Sequence, residues 1–119
     1  MDRGAERVRN GDSGLSVSTH VLDSVAGRPA AGIAVRLFAG NDLLAEGVTD
    51  RDGRCRLTDD ATGVGNHRLV FATGPWFAEQ GRDAFYPEVV LTFVVQEPAE
   101  HHHVPLLLSP FAYSTYRGS

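Results

Sequence analysis

The chain has 119 residues and a formal net charge of −4, and 42% of its residues are hydrophobic. This composition predicts one globular domain, and the negative charge argues against nucleic acid or an anionic membrane as a partner. All 11 cationic side chains are arginines, which excludes amine chemistry such as a Schiff base, and the single cysteine, Cys55, excludes an intramolecular disulfide.

The first segment, residues 1–14, is polar and rich in arginine and glycine. Because it has no apolar run, it is expected to be a disordered leader and not a signal peptide or a membrane span. No run of about eighteen apolar residues follows it, so a cytoplasmic location is the default expectation. Residues 15–119 are expected to form the folded domain.

Short runs rich in Val, Leu, Phe and Thr, separated by turn residues, make up the rest of the chain. Seven runs and a short eighth are predicted as strands: residues 15–22, 33–39, 43–49, 54–58, 67–73, 88–96, 101–109 and 114–117. The sixth is almost continuously apolar and is expected to be a central strand. Residues 59–65 are expected to hold at most one helical turn, and residues 74–87 a long packed loop. Short strands at this spacing predict an all-β sandwich or barrel.

His20 lies inside the first predicted strand. The period-two alternation of a strand puts His20 and Ser18 on the more polar face, while Val17 and Val21 point to the other face. A hydrogen-bonded structural histidine and a functional histidine are both compatible with this position.

Three consecutive histidines, His101, His102 and His103, open the seventh predicted strand. Alternation puts His101 and His103 on one face, and it puts His102 on the face of the aliphatic residues that follow. His101 and His103, with His20 as a third ligand, would suit zinc or nickel, although no carboxylate or thiolate completes the ligand set.

Arg54 follows a predicted turn at residues 50–53, and an extended strand would put Arg54 and Arg56 on the same face. Solvated surface arginines and a clamp for an anion or a carbonyl group both fit this pattern. The chain ends in a tetrapeptide that either frays or lines a pocket beside the last strand: Tyr116, Arg117, Gly118 and Ser119.

Four ordered blocks carry a resemblance to a known family. They are STHVLD with GRPA (residues 18–23 and 27–30), TDRDGR (49–54), HHHVPLLLSP (101–110) and YRGS (116–119). Over residues 15–119 the chain resembles the transthyretin-related proteins, and the terminal tetrapeptide is similar to that of their enzymatic branch, the 5-hydroxyisourate hydrolases. The hormone-carrier branch lacks this tetrapeptide and the catalytic histidines.

The resemblance implies a transthyretin-like β-sandwich of two sheets and about eight strands with one short helix. It implies a homotetramer, built as a dimer of dimers, with active sites at the dimer–dimer interface. The implied reaction is the hydrolysis of the small molecule 5-hydroxyisourate to 2-oxo-4-hydroxy-4-carboxy-5-ureidoimidazoline in urate degradation, with no cofactor. The alternatives are a non-catalytic small-molecule carrier, a metal-dependent hydrolase that uses the histidines, and a purely structural sandwich.

The same resemblance implies which residues form the site. The implied catalytic residues are His20, Arg54, His103 and Ser119, and the implied substrate-binding residues are His20, Arg54, Tyr116, Arg117 and Gly118. A neutral imidazole with an ordinary pKa of about 6.5 suits the removal of a proton from water, and the sequence leaves open which histidine does so. Arg54 would stabilise the developing oxyanion, and Ser119 would hydrogen-bond the attacking water.

His102 is a departure from the family pattern, which usually has Tyr between the two histidines of this block. Because alternation puts His102 on the opposite face from His103, we expect the substitution to alter packing and not chemistry.

Overall fold

The computed structural model describes residues 16–58 and 63–118. This part of the chain forms the following elements in order: β1 (Ser16–Asp23), β2 (Arg28–Pro29), β3 (Ala34–Ala39), β4 (Asp42–Val48), β5 (Arg54–Thr58), β6 (Gly65–Phe71), α1 (Thr73–Glu79), β7 (Val89–Val95), β8 (His101–Leu108) and β9 (Tyr113–Thr115). The predictions for residues 1–14 and for Ser119 lie outside the described residues. So does most of the helical turn predicted at residues 59–65, of which Gly65 begins β6.

The strands form two sheets. The five-stranded sheet has the order β2-β1-β8-β9, with β5 also paired to β1, and its β1–β8 pair is parallel. The four-stranded sheet has the order β4-β3-β6-β7 and is antiparallel throughout. The predicted two-sheet β-sandwich with one short helix is therefore confirmed.

The core lies between the two sheets, because alternation along each strand sends every second side chain inward. In β1 the odd-numbered residues from Val17 to Asp23 are buried, and the even-numbered residues face outward. Fully buried large side chains come from both sheets and from α1: Ile33, Leu37, Leu69, Phe71, Phe77, Leu106 and Leu108. The described part of the chain has no helix long and apolar enough to cross a membrane.

The prediction that the sixth run is a central strand is wrong. Among the strands that the structure describes, β7 lies at the edge of its sheet and pairs only with β6. Its outward-facing Val90 and Val94 are 37% and 54% exposed. A run that is apolar on both faces indicates that both faces favour burial, but it does not say whether the chain itself or another molecule covers them.

The prediction of a loop over residues 74–87 is also wrong in part, because this stretch contains most of α1. Pro75 lies in the first turn of the helix. Backbone N–H groups in that turn have no partner within the helix, so the N–H that proline lacks costs no helical hydrogen bond. Phe77 is buried in the core, and the indole Nε1 of Trp76 donates to the carbonyl of Ala31 at 2.7 Å. A helix of seven residues is too short to show a helical period in the sequence.

Candidate active site

The outer face of the five-stranded sheet brings the predicted histidines and Arg54 together. Cross-strand pairing aligns His20 with Arg54 between β1 and β5, and it aligns Ser18 with His103 between β1 and β8. The neighbours of these residues along each strand are buried, so the four side chains point away from the core. The faces predicted for His20 and His103 are therefore confirmed, and so is the face that Arg54 shares with Arg56.

The turn before β5 positions Arg54. The Asp50 carboxylate accepts hydrogen bonds from the backbone N–H groups of Asp52 and Arg54, at 2.9 and 3.0 Å. The bond from Arg54 is the main reason why the pKa of Asp50 lies below its usual value. Gly53 has φ +78°, and an added Cβ would clash with the carbonyl of Val21, so only glycine fits there.

Hydrogen bonds connect the two outer-facing histidines of β8 through serines of β1. Nδ1 of His103 lies 2.8 Å from Oγ of Ser18, and the same oxygen lies 2.9 Å from Nε2 of His101. Nδ1 of His101 lies 2.6 Å from Oγ of Ser16. The two imidazole rings are nearly parallel, with centroids 6.3 Å apart. Four side chains thus form one continuous hydrogen-bonded chain from Ser16 to His103.

Sequence reasoning missed this role of the serines. The sequence does show that Ser18 shares a face with His20, and alternation alone gives that fact. The contact with His103 depends on the parallel register of β1 and β8, whose residues are 85 positions apart. No local pattern reports such a register.

The surroundings of His103 favour its neutral form. Burial of the ring lowers the pKa of His103 below its ordinary value of 6.5, and the nearby positive charges of His20 and Arg54 lower it further. The backbone of Ser18 acts in the opposite direction by hydrogen bonding, but this effect is outweighed. The net effect is a pKa of His103 below its ordinary value, which favours the neutral imidazole.

The C-terminal tetrapeptide reaches the same place. The N–H of Gly118 donates to the carbonyl of His103 at 2.9 Å. An added Cβ at Gly118 would lie 2.5 Å from Cδ2 of His103, so the glycine backbone packs directly on the imidazole ring. Arg117 forms an exposed ion pair with Glu100 at 3.2 Å, and the side chain of Tyr116 is also exposed. Ser119 lies outside the described residues.

Two clefts flank His103. The first, which we call the outer cleft, measures about 390 Å³ and is lined by Ser18, Thr19, Arg54, Cys55, Arg56, His101 and His103. The second, which we call the edge cleft, measures about 380 Å³ and lies between β7 and the tail, lined by Val90, Leu91, Thr92, Phe93, Val94, His102, His103, Val104, Thr115, Tyr116 and Arg117. Of these two clefts, the outer one is bordered by Arg54 and the edge cleft is not.

His102 is buried on the inner side of β8, as predicted. Its ring lies against Phe93, with centroids 6.2 Å apart, and its Nδ1 lies 3.0 Å from the carbonyl of Glu100. His67 is also buried, and its ring centroid lies 5.9 Å from that of Phe93. A carbonyl partner and an aromatic neighbour account for His102 as a packing residue.

The described residues contain no group of three or more His, Cys, Asp or Glu side chains arranged to hold a metal ion. The outer face instead combines imidazoles, serine hydroxyls and arginine guanidinium groups beside one cleft. A neutral imidazole removes a proton from water, and a guanidinium stabilises a negative charge on a carbonyl oxygen. This arrangement suits hydrolysis of a carbonyl compound.

Comparisons with known proteins agree with this chemistry. A family profile described as the HIUase/Transthyretin family matches residues 17–118. The chain is 46% identical over 116 residues to the 5-hydroxyisourate hydrolase of Caulobacter vibrioides, covering 90% of this chain and 99% of that protein.

Solved structures also resemble this one. The 5-hydroxyisourate hydrolase of Klebsiella pneumoniae has a TM-score of 0.81 at 37% identity, covering 88% of this chain and 94% of that one. Sea bream transthyretin, solved in complex with thyroxine, has a TM-score of 0.78 at 29% identity, covering 86% of this chain and 93% of that one. The fold is therefore transthyretin-like, and both an enzyme and a thyroxine-binding protein share it.

Proposed function

This chain belongs to the HIUase/Transthyretin family, and on that premise we propose that it hydrolyses 5-hydroxyisourate to 2-oxo-4-hydroxy-4-carboxy-5-ureidoimidazoline. The observation that carries the proposal is the convergence of His20, Arg54 and His103 on one outer sheet face. A base, a second imidazole and a fixed cation are the groups that hydrolysis of a ring amide requires.

His103 is the proposed general base. When Nδ1 of His103 donates to Ser18, the lone pair of Nε2 remains available to take a proton from water. Because burial and the nearby His20 and Arg54 lower its pKa, this imidazole is favoured in the neutral form, which can accept that proton. Loss of such a base typically costs about 10²- to 10⁴-fold in rate.

Arg54 and His20 complete the proposed catalytic group. Arg54 would hold the substrate oxygens and stabilise the negative charge that develops on the carbonyl oxygen during attack. His20, which pairs with Arg54 across the two strands, would orient the water or protonate the leaving nitrogen. The two imidazoles would thereby divide the acid and base roles between them.

The tetrapeptide is the proposed wall of the substrate site. The packing of Gly118 on His103 supports this role, because it brings the tail backbone beside the proposed base. Tyr116 and Arg117, which line the edge cleft on the other flank of His103, would reach past this residue to bind the polar edge of the substrate ring, and Ser119 would hydrogen-bond the attacking water. These assignments carry over the family pattern to the same residues of this chain.

The proposed mechanism uses no metal or other cofactor. Its rival is a metal-dependent hydrolase built on the same histidines. Turnover that persists in excess EDTA, with no stoichiometric zinc or nickel by elemental analysis, would support the metal-free mechanism. Activity that disappears on chelation and returns with added metal would contradict it.

We further propose that the active form is a homotetramer, a dimer of dimers. Two features of the chain support this: the outer cleft lies on an open sheet face, and β7 presents exposed valines at a sheet edge. Pairing two outer faces would enclose the site and strengthen its electrostatic interactions. Sedimentation should show a tetramer, and a fully active monomer would contradict the proposal.

The proposed setting of the reaction is urate degradation in the cytoplasm. A reducing compartment suits Cys55, which is free and buried. Fractionation of cells that express the protein would test the location, and cytoplasmic activity is the expected result.

The alternative is a non-catalytic carrier, since the thyroxine-binding sea bream protein has the same fold. Ultraviolet decay of freshly made 5-hydroxyisourate, with and without protein, distinguishes the two functions. The hydrolase accelerates the decay above the spontaneous rate. A carrier leaves that rate unchanged.

A further inference from the structure

We propose that Ser18 and His101 form a relay that carries protons between His103 and the solvent during turnover. This inference rests on the proposed function, because it assigns an exit to a proton that the hydrolysis releases. It adds two positioning residues, Ser18 and His101, to the proposed catalytic group.

The overall reaction releases a proton that has to leave the site. Hydrolysis of the ring amide breaks a C–N bond and forms a C–O bond, with the hydroxyl of water going to carbon and its other proton to nitrogen. The new carboxylic acid, with an ordinary pKa of about 4, is ionised at neutral pH. The new ureido nitrogen is too weakly basic to keep an additional proton. One proton per turnover therefore leaves the site.

The surroundings disfavour keeping that proton on His103. His20 and Arg54 are close enough to lower its pKa, and Arg56 from β5 lines the same cleft. Protonated His103 would add another positive charge to this group, which Coulomb repulsion opposes. A proton taken up at Nε2 is thus driven out of the ring.

The hydrogen-bond geometry provides a path for the proton in the required direction, from His103 to His101. If Nδ1 of His103 donates to Ser18, then the Ser18 hydroxyl donates to Nε2 of His101, and Nδ1 of His101 donates to Ser16. This sense leaves Nε2 of His103 as the free base. Each nitrogen–oxygen distance along the path, 2.8 Å and 2.9 Å, is that of a hydrogen bond along which a proton can transfer.

Proton transfer along this path is balanced. As His103 gains a proton at Nε2, its Nδ1 proton moves to Ser18, and the Ser18 proton moves to Nε2 of His101. His101 is exposed, so it passes a proton to solvent or buffer. After product release, the Nε2 proton of His103 leaves to the water that enters the emptied cleft, His101 takes up a proton at Nδ1, and the transfers between them run in reverse to restore the starting tautomers. The net result is one proton released to solvent per turnover.

The test measures kcat as a function of buffer concentration in the full-length protein. The variant His101→Gln keeps a hydrogen-bonding side chain but cannot carry a proton, and Ser18→Ala removes the link itself. In dilute buffer we expect each variant to lose on the order of tenfold in kcat, less than loss of the base itself, with little change in KM. Added imidazole, a mobile proton carrier, should restore most of the loss in both variants, whereas the parent kcat should not respond.

Ser16→Ala is the matched control, because it removes a serine of the same strand face and leaves the path from His103 to His101 intact. Its kcat should be as insensitive to imidazole as that of the parent. A His101→Gln enzyme with parent activity in dilute buffer would overturn the relay. So would a loss in both variants that imidazole does not restore, because it indicates a structural role. A parent that does not accelerate ring opening at all would reject the proposed function, and the relay with it.

Discussion

The outer cleft and the edge cleft have nearly the same volume, about 390 and 380 Å³, but their chemistry differs. The outer cleft is lined by Arg54, Ser18 and His101, and hydrogen bonds connect its histidines. The edge cleft also borders His103, but the rest of its lining comes from β7, His102, Val104 and the tail residues Thr115, Tyr116 and Arg117, and it contains neither Arg54 nor Ser18. Cavity size therefore does not identify a reactive site, whereas charge and hydrogen-bond partners do.

The same comparison separates two adjacent histidines. His102 and His103 differ by one position in β8, so alternation directs them to opposite sides of the sheet. His102 has an aromatic neighbour and a carbonyl partner, while His103 lies near His20 and Arg54, which lower its pKa. Substitution of His102 is therefore expected to affect mainly stability, whereas substitution of His103 is expected to affect mainly catalysis.

The largest expected effect comes from truncation in the outer cleft. His103→Ala and Arg54→Ala should each lower kcat about 10²- to 10³-fold, because the first removes the base and the second removes the oxyanion donor. Circular dichroism and sedimentation should match those of the parent, because both side chains lie outside the core. A variant of either kind that turns over like the parent would show that the site is elsewhere.

The next largest effect is expected where the tail packs on the base. Gly118→Ala would force the new Cβ and the His103 ring apart, since they would be only 2.5 Å from each other. Displacement of a reacting group by about 1 Å can cost as much as 100-fold, so we expect roughly a 10- to 100-fold loss in kcat. Parent-like kinetics would mean that the contact between the tail and His103 is not needed for turnover.

The pH dependence should show the electrostatics of the outer cleft. Because burial, His20 and Arg54 lower the pKa of His103, the acid limb of kcat/KM should lie below pH 6.5. Arg54→Gln removes one of these charges, so the acid limb of the variant's residual activity should move to higher pH. A limb at or above pH 6.5 in the parent would contradict the assignment of His103 as base.

The same lowered pKa has a consequence for stability. As the pH falls below 6.5, His103 in the unfolded chain takes up a proton before His103 in the folded chain does. Its contribution to the free energy of unfolding should therefore decrease as the pH falls through this window, and His103→Gln should remove that contribution.

The smallest effect on activity is expected from the inner side of β8. His102→Ala should lower the free energy of unfolding by about 1–3 kcal/mol, because it leaves a cavity beside Phe93. Its kcat should remain within about twofold of the parent, since the altered side chain faces away from the proposed base. A loss of activity comparable to that of His103→Ala would mean that the edge cleft takes part in the reaction.

Local patterns predicted much of the fold and of the site. Alternation alone assigned His20 and His103 to outward faces and His102 to the core, and it put Arg54 on the same face as Arg56, because a strand has a fixed period of two. It did not reveal the contact of Ser18 with His103, which depends on the register of two strands distant in sequence. It also missed α1, which is too short to show a period, and the edge position of β7, whose apolar faces resemble those of a buried strand.

The most direct test is a crystal structure of the protein with a stable bicyclic analogue of 5-hydroxyisourate whose ring cannot open. The account predicts the analogue in the outer cleft, with a ring oxygen within hydrogen-bond distance of Arg54 and the ring between His20 and His103. An analogue bound instead in the edge cleft, against Phe93 and His102, would contradict it.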